Sequence, residues 1–250
     1  MLDLLESLLD LAALAGRKGN RGRDRQVTST TVVRARLDAA IGDRRLLDHP
    51  FYKAWAAGEL RRDDLGFYST QYWRQVETFP TCLRAVASGL EDSRARRAVE
   101  ENLSDELDGD HAGLWQAFAE ALGINGPELD SADIDPETIA CVDAFTAGTK
   151  ERSPAFSLGM LYGYESQTPE VATTKVEGLR SFYGISGAAT EYFVLHGELD
   201  VEHSSELVGA IAEVAGDGDD LVEAEAGARA GADAIWTLLD GVERVRTSTS

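Results

Sequence analysis

The sequence predicts an all-α bundle, on three observations. From residue 30 onward almost every window carries apolar residues at helical spacing, and β-branched alternation is rare. With 250 residues, 43% of them hydrophobic, the chain has apolar material for one domain of generous size. The spacing predicts helices over 30–46, 51–58, 62–91, 94–107, 112–123, 136–151, 154–167, 169–183, 187–213 and 219–246. The breakers place the ends. Pro80 should kink the third helix, Gly123 and Pro127 open a connection, Pro136 follows Asp135 at a helix start, and Pro169 starts a helix after Thr168. The run Gly216-Asp-Gly-Asp-Asp220 is a turn before a last helix whose stripe of Ala224, Ala226, Ala228, Ala230 and Ala232 allows close helix approach. No internal repeat appears, and no linker divides residues 30–246.

Residues 1–26 stand apart from the domain expected over 27–250. They divide into a Leu-rich amphipathic start (Leu2, Leu5, Leu8, Leu9 with Asp3, Glu6 and Asp10 between) and a polar stretch from Gly16 to Asp24. An appended helix and a linker are expected, the helix either a docking element for self-association or a frayed terminus.

Charge narrows the partners. There are 44 acidic against 24 basic residues, a formal −20, so phosphate backbones and anionic membranes are repelled. Small molecules, or other copies of the chain, are the expected partners. Lysine is confined to Lys18, Lys53, Lys150 and Lys175, and arginine supplies the rest of the basic set, while the acids are dispersed along the chain. That pattern suggests adaptation to high salt, and it makes each surviving lysine worth weighing. No apolar run reaches the ~18 residues that span a bilayer. Acids occupy the start where a secretory signal needs basic residues, so a cytoplasmic protein is expected.

The chemistry concentrates on four histidines, His49, His111, His196 and His203. In His196-Gly-Glu-Leu-Asp200-Val-Glu-His203 the spacing i, i+4, i+7 sets two imidazoles and a carboxylate on one helical stripe, at about 3.6 residues per turn. Such a comb suits iron, manganese or zinc, and helical bundles that hold two metals add carboxylates from facing helices. Glu106 and His111 flank a helix-to-helix turn and can converge on one ion. As a calcium loop the same segment fails, because Ser104 and Trp115 stand where acidic ligands are needed. Glu165, within Leu161-Tyr-Gly-Tyr-Glu165-Ser-Gln-Thr-Pro169, is a lone acid in an aromatic stretch, costly to bury without a partner such as a metal. Glu77 is either a further ligand or the ion-pair partner of Arg74. His49, before Pro50, reads as an N-terminal cap or a substrate-side residue, and Cys82 and Cys141 as small buried apolar groups. Tyr164 and Tyr192, the latter one turn before His196, either relay electrons or protons near metals or pack as core aromatics.

Taken together in order, Phe51-Tyr-Lys-Ala-Trp55, Gly58-Glu-Leu60, Phe79-Pro80, Glu101-Asn102, Asp105-Glu106, His111, Tyr162-Gly-Tyr-Glu165-Ser-Gln-Thr-Pro-Glu170 and His196-x3-Asp200-x2-His203 resemble the haem-oxygenase-like di-metal oxidases. The likeness runs over about residues 45–210 and is nearest to the CADD-like proteins within that superfamily, with PqqC and TenA as more distant relatives. The resemblance implies a seven-helix bundle, usually dimeric, that holds two irons and uses O2 and an external reductant; the same ligands accept a mixed iron–manganese pair. It implies Glu106, His111, Glu165, His196, Asp200 and His203 as the six ligands, with Glu77 as an extra carboxylate. CADD-like proteins are self-sacrificing para-aminobenzoate synthases, serving folate-type cofactors, in which a tyrosine is excised and a lysine gives its nitrogen. The matching residues are Tyr52 and Lys175. An arginine cannot donate a single amine, so a lysine kept here in an arginine-favouring chain supports the match. The competing readings are a di-iron oxidase of an external small molecule, a PqqC-like cofactorless oxidase, and a TenA-like thiaminase. The last leaves the His/Asp comb unexplained.

Overall fold

The computed structural model describes residues 29–215 and 218–248; the Leu-rich start and the linker after it lie outside the described residues. Every regular element described is helical. In chain order they are α1 (Thr30–Ile41), α2 (Pro50–Ala57), α3 (Arg62–Gly89), α4 (Arg94–Asp108), α5 (His111–Ala121), α6 (Gly126–Ser131), α7 (Pro136–Lys150), α8 (Pro154–Glu165), α9 (Thr168–Gly178), α10 (Glu191–Val214) and α11 (Asp219–Ser248).

Local sequence sets most of the starts. The Ser93 and Ser153 side chains accept from the backbone N–H groups of Arg96 and Phe156, capping α4 and α8, and Pro154 takes the first helical position of α8. His49 caps α2: its Nδ1 accepts from Phe51 N at 3.1 Å, which leaves Nε2 to donate to Asp240 Oδ1 at 3.1 Å. This histidine is therefore structural. Pro80 lies inside an unbroken α3.

Four stretches depart from the periodic reading, one of them Gly187–Thr190, a 3-10 turn at the start of the helix expected over 187–213. The first helix ends at Ile41 because Gly42 takes φ +56°, and a 3-10 turn, Leu46–Asp48, follows. A short helix, α6, fills the expected connection, started by a reciprocal box in which Asn125 and Glu128 bind each other's backbone N–H. The expected helix over 169–183 is α-helical only to Gly178; Leu179–Tyr183 winds as a π-helix closed by Gly184 at φ +64°.

The centre of the bundle is α8, eleven of whose residues are buried. It packs on α11 through small residues from both sides: a Cβ on Gly159 or Gly163 would strike the carbonyl oxygens of Ala224 or Ala228, and a Cβ on Gly227 or Gly231 those of Phe156 or Met160. Of the expected alanine stripe of α11, only Ala224, Ala228 and Ala232 are buried, while Ala226 is exposed; the close approach is made by Ala224 and Ala228 together with Gly227 and Gly231. α10 packs against α4, α5 and α8, and these four helices carry the histidines and acids of the predicted site. Among the described residues, no helix is long and apolar enough to cross a membrane.

Candidate metal centre

On α4 the buried stripe is Ala95, Val99, Asn102 and Glu106, so an apolar helix face turns polar in its last two turns. Asp110 then holds φ +48° and caps α5, its side chain accepting from Gly113 N, which makes His111 the first residue of the next helix and turns it inward. α10 contributes His196, Asp200 and His203, all buried on one stripe, and α8 ends on the buried Glu165.

These six side chains form two triads. Glu106, His111 and His196 offer ligand atoms within 4.8 Å of one another, as do Glu165, Asp200 and His203. Each triad combines carboxylate and neutral-capable imidazole, a donor set that suits divalent transition metals. The hydrogen bonding supports a fit to cations. His196 Nδ1 lies 2.7 Å from the Tyr192 carbonyl and His203 Nδ1 3.3 Å from Asp200 Oδ1. His111 Nδ1 sits 2.9 Å from Glu106 Oε2 but out of hydrogen-bonding alignment, so neither of its ring nitrogens has a hydrogen bond; Glu165 Oε2 and Asn102 Oδ1 have none either. Buried lone pairs left in this way are costly, and a bound cation satisfies them.

Electrostatics match. Burial alone would raise Glu106, but the close imidazoles of His111 and His196 override it and hold the carboxyl at about 2. Burial and the neighbouring Asp200 push Glu165 well above the carboxylate range. Burial opposes charge on His203, yet Asp200, Glu165 and Asp105 raise it to about 9. Without ions, protons on Glu165 and His203 balance charge that metal ions balance when bound.

A second cluster adjoins the first. Tyr52 and Lys175 are both buried, and their link is Tyr68: its hydroxyl accepts from Lys175 Nζ at 2.7 Å and lies 3.2 Å from the Tyr52 hydroxyl. The ammonium nitrogen sits 5.0 Å from the Tyr52 and Phe193 ring centroids, 5.2 Å from Tyr68, 5.1 Å from Tyr72 and 6.0 Å from Trp55. Among the described residues no carboxylate pairs with it, and burial lowers its pKa to about 7. Burial raises the Tyr52 phenol, so it stays protonated. Rings join the two clusters: Tyr192 stacks on His196 with centroids 4.0 Å apart and meets Trp115 at 4.8 Å, and Trp115 stacks on Tyr72 at 5.2 Å. Tyr164, beside Glu165, accepts from the Tyr72 hydroxyl at 3.1 Å.

The structure thus gathers the six expected ligands into two groups, with Tyr192 against His196 and Tyr164 beside Glu165, and sets Tyr52 and Lys175 behind an intervening layer of rings. Glu77 is in neither triad; it is partly exposed and ion-paired with Arg74 at 2.8 Å. Cys82 and Cys141 are buried, with thiols raised by burial. Three participants escaped the sequence reading. Tyr68 and Tyr72 lie i, i+4 in an aromatic run of α3, and that spacing was the available signal. Asn102 donates to Glu165 Oε1 at 2.7 Å, a contact between two helices that leaves no local mark.

Comparison with known proteins agrees with this geometry. Residues 67–236 match the sequence family described as iron-containing redox enzyme, of the haem-oxygenase type. A 4-aminobenzoate synthase of Nitrosomonas europaea is 35% identical over 226 residues, covering 86% of this chain and 92% of that protein. A 4-aminobenzoate synthase of Chlamydia pneumoniae is 36% identical over 172 residues, covering 68% of this chain and 77% of its own. In fold, the crystal structure of a TenA homologue from Pseudomonas syringae superposes with a TM-score of 0.74 at 16% identity, over 87% of this chain and 96% of that one.

Proposed function

The chain belongs to the haem-oxygenase-like family of iron-containing redox enzymes, in its 4-aminobenzoate synthase branch, and on that premise we propose that it makes 4-aminobenzoate from its own Tyr52, with Lys175 as the nitrogen donor. The observation that carries this reading is the hydrogen-bonded row Tyr52–Tyr68–Lys175 held in an aromatic cage beside two metal-ligand triads.

Glu106, His111 and His196 would hold one ion and Glu165, Asp200 and His203 the other, three carboxylates against two divalent charges. When bound, a pair of irons, or iron with manganese, supplies the activation of O2 and the oxidising equivalents. The chain's residues prepare the reactants. Burial in the ring cage leaves a substantial share of Lys175 as the free amine at neutral pH, and the amine, not the ammonium, has the lone pair that forms a bond to carbon. Tyr68 fixes that nitrogen and the Tyr52 hydroxyl on one oxygen, and so holds donor and ring in register. The same hydroxyl is placed to pass a proton from Tyr52 to the amine. Asn102 fixes the orientation of the Glu165 carboxylate. The ring contacts, edge-on from Tyr192 to Trp115 and stacked from Trp115 to Tyr72, supply low-barrier sites for an electron leaving the Tyr52 side of the cage.

The test is mass spectrometry of anaerobic, Fe(II)-loaded and reduced protein before and after O2. We expect 4-aminobenzoate together with a modified peptide at Tyr52, and neither from Tyr52→Phe, which keeps its metal. An unaltered Tyr52 peptide with O2 consumed rejects self-sacrifice and moves the reaction to an external substrate. His196→Ala that still binds two equivalents of iron rejects the ligand assignment.

The reading also carries a homodimer, an external reductant, a cytoplasmic setting and a high-salt milieu, the last resting on the dispersed −20 charge. Light scattering on the purified chain tests the first.

A further inference from the structure

Asp105 precedes Glu106 on α4, and at about 100° per helical residue the two carboxylates leave the helix in different directions. Glu106 enters the first triad, whereas Asp105 stays half-exposed and its Oδ2 lies 3.1 Å from His203 Nε2. It belongs to neither triad. The other ring nitrogen of His203, Nδ1, faces Asp200 Oδ1 at 3.3 Å. His196, seven residues earlier on the same helix, is arranged in the opposite sense. Its Nδ1 lies against the Tyr192 carbonyl, which can only accept, so Nδ1 carries the hydrogen and the lone pair is on Nε2, the nitrogen 3.5 Å from Glu106 Oε1.

Resting on the two-metal reading above, we propose that Asp105 is the positioning residue of His203, and that the two histidines of α10 face their ions through different ring nitrogens, His196 through Nε2 and His203 through Nδ1. A metal-bound imidazole donates its remaining N–H to an outer acceptor, which fixes the tautomer and the ring plane. For His196 that acceptor is a neutral backbone carbonyl; for His203 it is a carboxylate. The second triad already holds two carboxylates to the first triad's one, and the anionic acceptor makes its imidazole a stronger donor still. The two sites are therefore unequal, with the Glu165, Asp200 and His203 site the more electron-rich of the pair and the one whose outer partner reaches solvent.

Two measurements test this. In anaerobic titration with Co(II), followed by visible absorption, the unaltered protein binds two ions. Asp105→Ala lowers the affinity of one site about 10- to 100-fold, leaving the other site and the far-UV circular dichroism unchanged. Asp105→Asn keeps an acceptor for the Nε2 hydrogen and loses less. Two tight sites in Asp105→Ala overturn the positioning role, while fewer than two ions on the unaltered protein overturn the two-metal reading and the proposal with it. Independently of any variant, long-range proton–nitrogen correlation spectra of the Zn(II)-loaded protein report which ring nitrogen keeps its hydrogen. We expect Nε2–H on His203 and Nδ1–H on His196; the same nitrogen protonated in both overturns the proposal.

Discussion

Lys175 shows what one side chain costs and what it makes available. Its pKa in the fold is about 7, while an unfolded lysine titrates near 10.4. Between those values the unfolded chain holds a proton that the folded chain lacks, so this group lowers stability at neutral pH and the loss shrinks as pH rises toward 10. Lys175→Met should therefore be more stable than the parent by on the order of 4 kcal/mol near pH 7, with the difference mostly gone near pH 10. Urea unfolding of equally metal-loaded proteins measures this, and equal stabilities across that range refute a neutral, caged amine. Tyr68→Phe removes the oxygen shared by Tyr52 and Lys175; product yield in a single turnover should fall at least about tenfold while both metal sites still fill, a separation that steady metal content plus product analysis resolves. At this scale the sequence spoke clearly where spacing alone makes a pattern, as in His196, Asp200 and His203. It gave no role to Asn102 and Asp105, present only as part of the resemblance, and passed over Tyr68; their roles arise from contacts between helices and so depend on a register no local window contains.

The elements differ in how much room they leave. A Cβ on Gly163 meets the backbone carbonyl of Ala228 on α11, and backbone cannot swing aside as a long side chain does. Gly163→Ala should cost about 1–3 kcal/mol through forced separation of α8 from α11, and it should also weaken metal binding, because Glu165 follows two residues later. Gly209, on α10, is the contrast: nothing lies within 4 Å of its added Cβ, so Gly209→Ala should gain up to about 1 kcal/mol from helix propensity. Thermal unfolding of the two variants checks both signs, and a neutral Gly163→Ala shows that the interface yields. Helix starts were legible where a proline marks them, as at Pro136, which opens α7, and Pro169, in the first turn of α9. The π-helix at Leu179–Tyr183 was not, since its residues carry the same apolar period as an α-helix and differ only in which carbonyl each N–H meets.

At the scale of the whole molecule, the helical period and the ordered histidines and acids together point to one architecture, because a bundle is what places residues from α4, α5, α8 and α10 in a single interior. The surface follows a different rule. Several arginines are already spent on carboxylates, as in Arg229 with Asp43 and Asp233 and Arg244 with Asp135 and Glu137. With 44 acids to 24 bases, the acids in excess repel one another across the folded surface more than in the extended chain. Raising KCl from roughly 0.1 M to roughly 1 M shortens the screening length from about 10 Å to about 3 Å. The same salt weakens the exposed ion pairs, but each of those contributes only about 0–1 kcal/mol, so relief of repulsion should win. The melting temperature should therefore rise steadily over that range, and substituting a few unpaired surface acids such as Glu198 and Glu202 by glutamine should flatten the rise. A melting temperature that falls with KCl would mean that the paired arginines, not the excess carboxylates, govern the stability of this surface.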